Sequence, residues 1–404
     1  MATEIRPATQ EEMFGLGEIV AYVYAGSFGD EADNVAVQTI RPEWTLCAFV
    51  DGVLASSFAT LPMTMTTGGR TVDMGGVTAV GTLPEYRRRG LVRRIMTQAL
   101  SDMRDRGQAV SGLWASQAAI YQRYGYSMVS HLRHYDLDIV DLRFFDGVAG
   151  TSEVQRVSAD ESFDVLQDLH TRFITPRVGY IARRRGTWRY NVLAPDAADG
   201  PLHIGLCRED GVATGYVAYT VRSGKSDHPG RSQHLKIRDM VALTGNATRS
   251  LWQFIASHDL VGRVTWESAP VDDPAPELMV EPRMLRAVDH EGLWLRIVDL
   301  AAALPARGYH SEGVLEFTVP EDELAPRNAG SFRLEVANGF AVIRRIDSEP
   351  SLVLPIKTLA SLYTGFRSAS ELGAAGLVTG TPADLAAADA IFRTPHRPHC
   401  PDNF

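Results

Sequence analysis

Three cysteines in 404 residues, Cys47, Cys207 and Cys400, are too scattered, and odd in number, to imply a disulfide framework. No apolar run approaches the roughly 18 residues that a membrane-spanning helix needs. The opening residues, Met-Ala-Thr-Glu-Ile-Arg, lack the charged-then-apolar pattern of a secretory leader. A reducing, cytoplasmic setting without a membrane partner is the expectation. Positive charge is not in surplus either: 40 Lys and Arg stand against 49 Asp and Glu, a formal net charge of −9 at pH 7. Nucleic-acid binding needs a basic face and is not expected. An acidic surface can attract a cationic small molecule, although it serves solubility first.

What is present is the composition of an ordinary globular protein, 45% apolar and 22% charged, enough for several packed cores. The length suggests two to three domains. In the first third, Glu11 to Ala25 reads as a helix. Thr45–Val50 and Val53–Ala59 flank Asp51-Gly52, and Leu61–Thr66 and Arg70–Val80 flank Gly68-Gly69, two hairpin signals. An Arg/Gly segment, an amphipathic helix, an apolar strand from Ala109 to Ala115 and a short aromatic helix near Tyr121 follow. After the polar stretch Asp146–Ser152 a fresh pattern begins. There the strand from Ile237 and the helical run Ala247–His258 faintly repeat the strand-turn-helix of Asp73–Met103, without its arginine-rich loop. A duplicated domain that has lost its phosphate site and a chance likeness of two βα units both account for this echo. Beyond about Leu295 strands come before helices: Ser331–Ala337 and Phe340–Arg345 flank Asn338-Gly339, and Thr381-Pro382 suits a helix start. That order suggests an α+β domain. The expected domains are residues 1–150, 151–294 and 295–404.

The informative stretch runs from Val77 to Met96. A strand ends near Val80, and Pro84 keeps it from continuing as a central strand. Five arginines then fall within Arg87–Arg94, around Gly90. The following helix places Leu91, Ile95, Ala99 and Met103 on one stripe, widened by Val92, Met96 and Leu100, while Arg93, Arg94, Gln98 and Asp102 face away. A helix opening at a glycine after a flexible loop offers unpaired N–H groups and the positive end of its dipole, a ready site for a pyrophosphate. Arginines in a first turn are disfavoured by that dipole unless an anion sits there. A solvated surface is the plainer reading, and the dipole conflict argues against it.

Arg87-x-x-Gly90-x-Val92 after a strand resembles the acetyl-CoA signature of the GCN5-related (GNAT) N-acetyltransferases, with valine where the family has a small residue. Ala119 through Tyr126, with Tyr121, Tyr124 and Gly125-Tyr126, resembles the family's aromatic segment after the fifth strand. Ser27-Phe28-Gly29-Asp30, Pro84-x-x-Arg-Arg-Arg-Gly90, Ser116 through Tyr126, and Gly292-Leu-Trp-Leu-Arg-Ile look like the enhanced intracellular survival (Eis) family over the whole chain. That resemblance implies a mixed α/β and α+β architecture: two tandem GNAT-like domains, the second degenerate, and a C-terminal sterol-carrier-protein-like α+β domain. It also implies a homo-oligomer, a hexamer in known members.

By the same resemblance, acetyl-CoA is the co-substrate and no metal takes part. Val80, Gly81 and Thr82 would meet the pantetheine arm. Arg88, Arg89, Gly90, Leu91, Val92 and Arg93 would surround the pyrophosphate, with Ser116 and Gln117 completing the site. Tyr121 matches the general acid, and the terminal carboxylate of Phe404 the general base. Asp30 matches an acid of the acceptor pocket, while Val37 stands where relatives place a tryptophan, and the penultimate residue is Asn403 rather than an acid. The acceptor would be a primary amine, on an aminoglycoside-like cation or a lysine peptide. Two other readings compete: a lipid or sterol carrier with a vestigial transferase, and a metal site at His396, His399 and Cys400, which has no evident fourth ligand.

Overall fold

The computed structural model describes residues 2–26, 40–224 and 228–404. The chain divides into two compact units. The first holds residues 1–129, 293–394 and Phe404, and the second holds 130–292 and 395–403.

In the first unit, β1 (Thr3–Arg6), β2 (Cys47–Val50), β3 (Val53–Thr67), β4 (Thr71–Thr82) and β5 (Val110–Leu113) lie side by side in that order. All neighbours are antiparallel except β4 and β5, which are parallel. Helix α1 (Met13–Val23) comes before β2. The crossover from β4 to β5 is helix α2 (Leu91–Asp105), as a parallel pair requires. Leu91, Ile95, Met96, Ala99, Leu100 and Met103 are buried, and Arg93, Arg94 and Gln98 are exposed, the division its periodicity predicts. Each such apolar side chain contributes about 1.5–3 kcal/mol of burial, so this face fixes the helix against the sheet. Asp51 and Gly52 both have positive φ, 48° and 84°, as the two-residue turn between β2 and β3 demands. The break expected near Thr60 is absent. One strand of 15 residues runs through Pro62, because β4 continues opposite it with Pro62 facing Gly75. Helix α3 (Ala118–Gln122) and the short β6 (Ser127–Met128) complete the N-terminal part.

The second unit is a seven-stranded sheet. Its strands are β7 (His131–Asp138), β8 (Glu153–Val157), β10 (Leu202–Glu209), β11 (Val212–Ser223), β12 (Gln233–Ala242), β13 (Val261–Ala269) and β14 (Val288–Glu291), with β9 (Val178–Ile181) outside that order. The strand order is β14-β7-β13-β12-β11-β10-β8. Helix α4 (Phe163–Ile174) lies between β8 and β9 in the chain, and α5 (Gly245–Ala256) connects β12 to the parallel β13. This β12-α5-β13 unit has the topology of β4-α2-β5, so the echo seen in the sequence is an architectural one. Arg183, fully buried, pairs with Asp239 and, at 2.8 Å, with Asp402 of the tail, while Tyr216 donates to Asp239 at 2.7 Å.

Beyond it, β15 (Trp294–Ile297) returns to the first unit's sheet between β5 and β6, antiparallel to both. Helix α6 (Leu300–Ala306) leads into the antiparallel sheet β16 (Gly313–Val319), β17 (Gly330–Ala337) and β18 (Phe340–Arg345), with Asn338-Gly339 in the last turn at positive φ. Helices α7 (Ile356–Thr364), α8 (Ala369–Ala374) and α9 (Pro382–Phe392) follow, the last opened by a Thr381 capping box. Arg307 is fully buried and pairs with no carboxylate among the described residues. Its guanidinium instead donates to the carbonyls of Tyr363 and Phe392 at the ends of α7 and α9, where helix dipoles favour a cation.

Candidate active site

Strands β4 and β5 pair only over Met74–Gly76, after which they part. A bulge follows the separation: Ala59 faces Thr78 and Ser57 faces Gly81, leaving Ala79 and Val80 without partners on either neighbouring strand. Ala79 takes a φ of 53°, rare for a non-glycine residue and typical of such an extra residue. Two buried serines hold the distortion: Ser57 Oγ donates to Ala79 O at 2.8 Å and Ser56 Oγ to Gly81 O at 2.7 Å. The carbonyl of Val80 accepts from the Tyr24 hydroxyl at 3.1 Å. On the β5 side Val80 to Thr82 have no strand partner and border the opening beside β4, while Gly81 and Thr82 still pair with Ser57 and Ser56 of β3.

At the end of β4, Arg87 Nε donates to Thr82 O at 3.1 Å, and Arg89 folds over Tyr86 and donates to Glu85 O at 2.8 Å. Arg88 has a φ of 63°, and Gly90, the N-cap of α2, a φ of 75°. A residue after Gly90 starts the helix without any side-chain cap, so the first-turn N–H groups of Leu91, Val92 and Arg93 remain available. A Cβ on Gly90 would meet nothing within 4 Å, so the space in front of those donors is open. Uncapped donors, the dipole's positive end and the exposed Arg88 and Arg89 together fit a diphosphate. Besides Arg89, two expected side chains have other engagements. Leu91 is packed in the core, leaving only its N–H, and the Arg93 guanidinium pairs with Glu323.

On the β5 side, Ser116 and Gln117 are exposed just before α3, with Gln117 at its N-cap. Tyr121 is buried, its ring edge-on to Tyr126 at 6.2 Å. Burial pushes its hydroxyl above the usual tyrosine range, nearby Tyr24 adds to this, and the Ser116 side chain opposes it. Tyr24, although 47% exposed, is raised in the same direction by partial desolvation, with Ser116 and Tyr121 offsetting part of the rise. Tyr24 thus gathers Val80, Ser116 and Tyr121 into one cluster. Nothing in the sequence marks it, since Tyr22 and Tyr24 both look like helix-end surface residues. The glycine of the Tyr-Gly-Tyr segment has a steric cause: Gly125 has a φ of 81°, and a Cβ there would lie 1.9 Å from Arg296 Nη1. Arg296 donates to Tyr124 O at 2.5 Å and forms a buried pair with Asp322 at 2.6 Å. The string around Trp294 therefore props the aromatic segment from below.

Phe404 belongs to the first unit, its ring 3.1 Å from where a Cβ of Gly76 would stand on β4. The absence of a side chain at Gly76 lets the terminal residue lie on the strand. Asp30 and Val37 fall outside the described residues. In the tail, His396 faces Asp272 at 3.5 Å, His399 is buried against Tyr180, and Cys400 points to Asp402 O, so the three are engaged separately. Among the described residues no group of three metal-ligating side chains converges, and no helix is long and apolar enough to cross a membrane.

Family models match three stretches: an Acetyltransferase (GNAT) domain over residues 4–129, a second one over 179–297, and a Sterol carrier protein domain over 300–401. The chain is 30% identical over 388 residues to the N-acetyltransferase Eis of Mycobacterium tuberculosis, covering 93% of this chain and 92% of that one. It is also 30% identical over 420 residues to an uncharacterized N-acetyltransferase of Streptomyces griseus, with both chains covered in full. Among solved structures, a GCN5-related N-acetyltransferase from Anabaena variabilis matches with a TM-score of 0.88 at 28% identity, and Eis1 from Mycobacterium abscessus with 0.83 at 28%, each over 100% of both chains.

Proposed function

The chain belongs to the Eis family of GNAT-type N-acetyltransferases, and from that premise we propose that it transfers acetyl from acetyl-CoA to a primary amine, on an aminoglycoside-like cation or a lysine side chain. The observation that carries this reading is the parting of β4 from β5 beside an uncapped helix start. Acetyl-CoA supplies, when bound, a thioester carbonyl open to attack. The first-turn N–H groups of Leu91, Val92 and Arg93, with Arg88, Arg89 and Gly90, hold the diphosphate. Backbone groups of Val80, Gly81 and Thr82 orient the pantetheine arm and stabilise negative charge growing on the carbonyl oxygen. Ser116 and Gln117 close the opposite wall. Tyr121, held protonated by burial, gives its proton to the departing sulfur. An amine in water is protonated up to a pH of about 10.4, and the terminal carboxylate of Phe404 takes the proton that must leave before attack. Asp30 supplies a counter-charge for a cationic acceptor.

We assign domain boundaries near residues 150 and 294, a homo-oligomeric assembly of hexameric type and a cytoplasmic location on the same footing. A lipid carrier with a vestigial transferase is the weaker reading, because Gly90, the arginines and the open helix start are all retained. The test is a chain extended by a few residues beyond Phe404, which moves the carboxylate away. Turnover should fall about 100-fold or more while acetyl-CoA affinity stays unchanged. Normal turnover by the extended chain would overturn the role of the terminus, and a screen of polyamines, aminoglycosides and lysine peptides would name the acceptor.

A further inference from the structure

The second unit carries a cavity of about 510 Å³, within the size range of small-molecule sites, that plays no part in the proposed reaction. Its floor is the face of β8, β10 and β11 beyond the end of α5, where Arg156 faces Gly205 and His203 faces Tyr219. Gly205 makes the depression possible: a Cβ there would stand 2.9 Å from the Phe254 ring, which instead sinks in as a wall. His258 forms the rim and holds a defined orientation. Its Nδ1 lies 3.0 Å from Phe254 O and 3.1 Å from Ile255 O, so it carries a proton, and Nε2 accepts from Tyr219 at 3.3 Å. That same contact occupies the last carbonyls of α5, blunting the negative helix end before it reaches the cavity.

The charge lining this cavity is one-sided. Among the described residues, Arg156 and His203 have no hydrogen-bond or ion-pair partner and no Asp or Glu lines the space. Burial first, and then the Arg156 charge, push the His203 imidazolium toward deprotonation, and a negative charge beside Arg156 would offset the second of these. The walls are aromatic: the Tyr219 ring packs tilted on His203 at 5.4 Å and edge-on to Phe254 at 5.9 Å, a pre-formed ring surface beside the two basic side chains.

We propose that this cavity is a binding site for a small aromatic carboxylate, its anionic end on Arg156 and His203 and its ring against Tyr219 and Phe254. The assignment is independent of the acetyl-transfer site. Calorimetric titration of the intact chain with benzoate tests it, with benzamide as the neutral isostere and inorganic phosphate as the anion without a ring. Benzoate should bind, benzamide at least tenfold more weakly. Arg156→Gln should weaken benzoate at least tenfold and His203→Gln should weaken it too, while acetyl transfer by both variants is unchanged. Arg156 is exposed, so its replacement leaves the fold intact. Absence of heat with benzoate, equal binding of benzamide, tighter binding of phosphate than benzoate, or benzoate binding indifferent to Arg156→Gln would each overturn the proposal.

Discussion

Replacing Asp402 by asparagine should stabilise the second unit at neutral pH and do nothing at pH 4. Arg183 is enclosed with two carboxylates, Asp239 and Asp402, so one cation faces two anions away from water. The pair divides the load unequally. Burial alone would raise Asp239, but Arg183 overrides it and holds Asp239 below the usual carboxylate range. Asp402 is pushed up by burial, with Arg183 opposing, to about 6 from an ordinary 3.8. A carboxylate whose folded pKa exceeds its unfolded one gives stability that is complete below the unfolded value and lost as pH rises through the folded one. At about 1.4 kcal/mol per pH unit, the window from 3.8 to about 6 is worth about 3 kcal/mol. Asparagine keeps the shape and the acceptor for Arg183 Nε but never ionises. The Asp402→Asn chain should match the native one near pH 4 and exceed its stability by up to about 3 kcal/mol at pH 7.5, leaving Arg183 and Asp239 as a neutral pair. Hydrogen exchange in β9 and β12, on which the cluster rests, reads this locally, and comparing both chains at each pH cancels the intrinsic exchange rate. A variant less stable than native at pH 7.5, or a difference that does not move with pH, refutes the reasoning.

Gly125→Ala should cost about 3–5 kcal/mol, seen as a lower melting temperature, because it combines a positive φ with displacement of the buried Arg296–Asp322 pair. Gly90→Ala shares the positive φ but has open space around it, so it should cost only about 1–2 kcal/mol while weakening acetyl-CoA measurably by titration. Tyr121→Phe should lower kcat by about 100-fold or more with acetyl-CoA affinity nearly unchanged, read by steady-state kinetics and calorimetry.

The elements that the sequence made legible share one property: their signal is local. The stripe on α2 is a periodicity, and the turns at Asp51-Gly52 and Asn338-Gly339 are residue types that a tight turn demands. The continuity of β3 through Pro62 was not legible, because it depends on a partner strand rather than on the residues themselves. The arginine loop was readable as an anion site, yet not that Leu91 offers only its backbone or that Arg93 is taken by Glu323, 230 residues away. Tyr24 was invisible for the same reason: its role comes from where Val80 and Tyr121 stand, not from its neighbours in the chain.

The two βα units also bear on how many coenzymes one chain should take. In both, the strand before the helix parts from its parallel neighbour and bulges just beyond: β12 pairs with β13 only as far as Ile237, and its register against β11 shifts between Ile237 and Asp239. The difference lies at the helix start. Helix α2 opens at Gly90 with no side-chain cap, whereas α5 opens at Thr244, whose Oγ1 accepts from Ala247 N at 2.9 Å and donates to Glu209 at 2.5 Å. The hydrogen bond from Thr244 holds Glu209 below its ordinary range, so it stays ionised and supplies the helix end with an anion of its own. A diphosphate arriving there would meet a filled donor and a like charge. Titration with coenzyme A should therefore saturate at one equivalent per chain, and Gly90→Val should abolish that equivalent rather than reveal a second. A stoichiometry of two would mean that the Thr244–Glu209 arrangement opens on binding, and that the second unit keeps a working site.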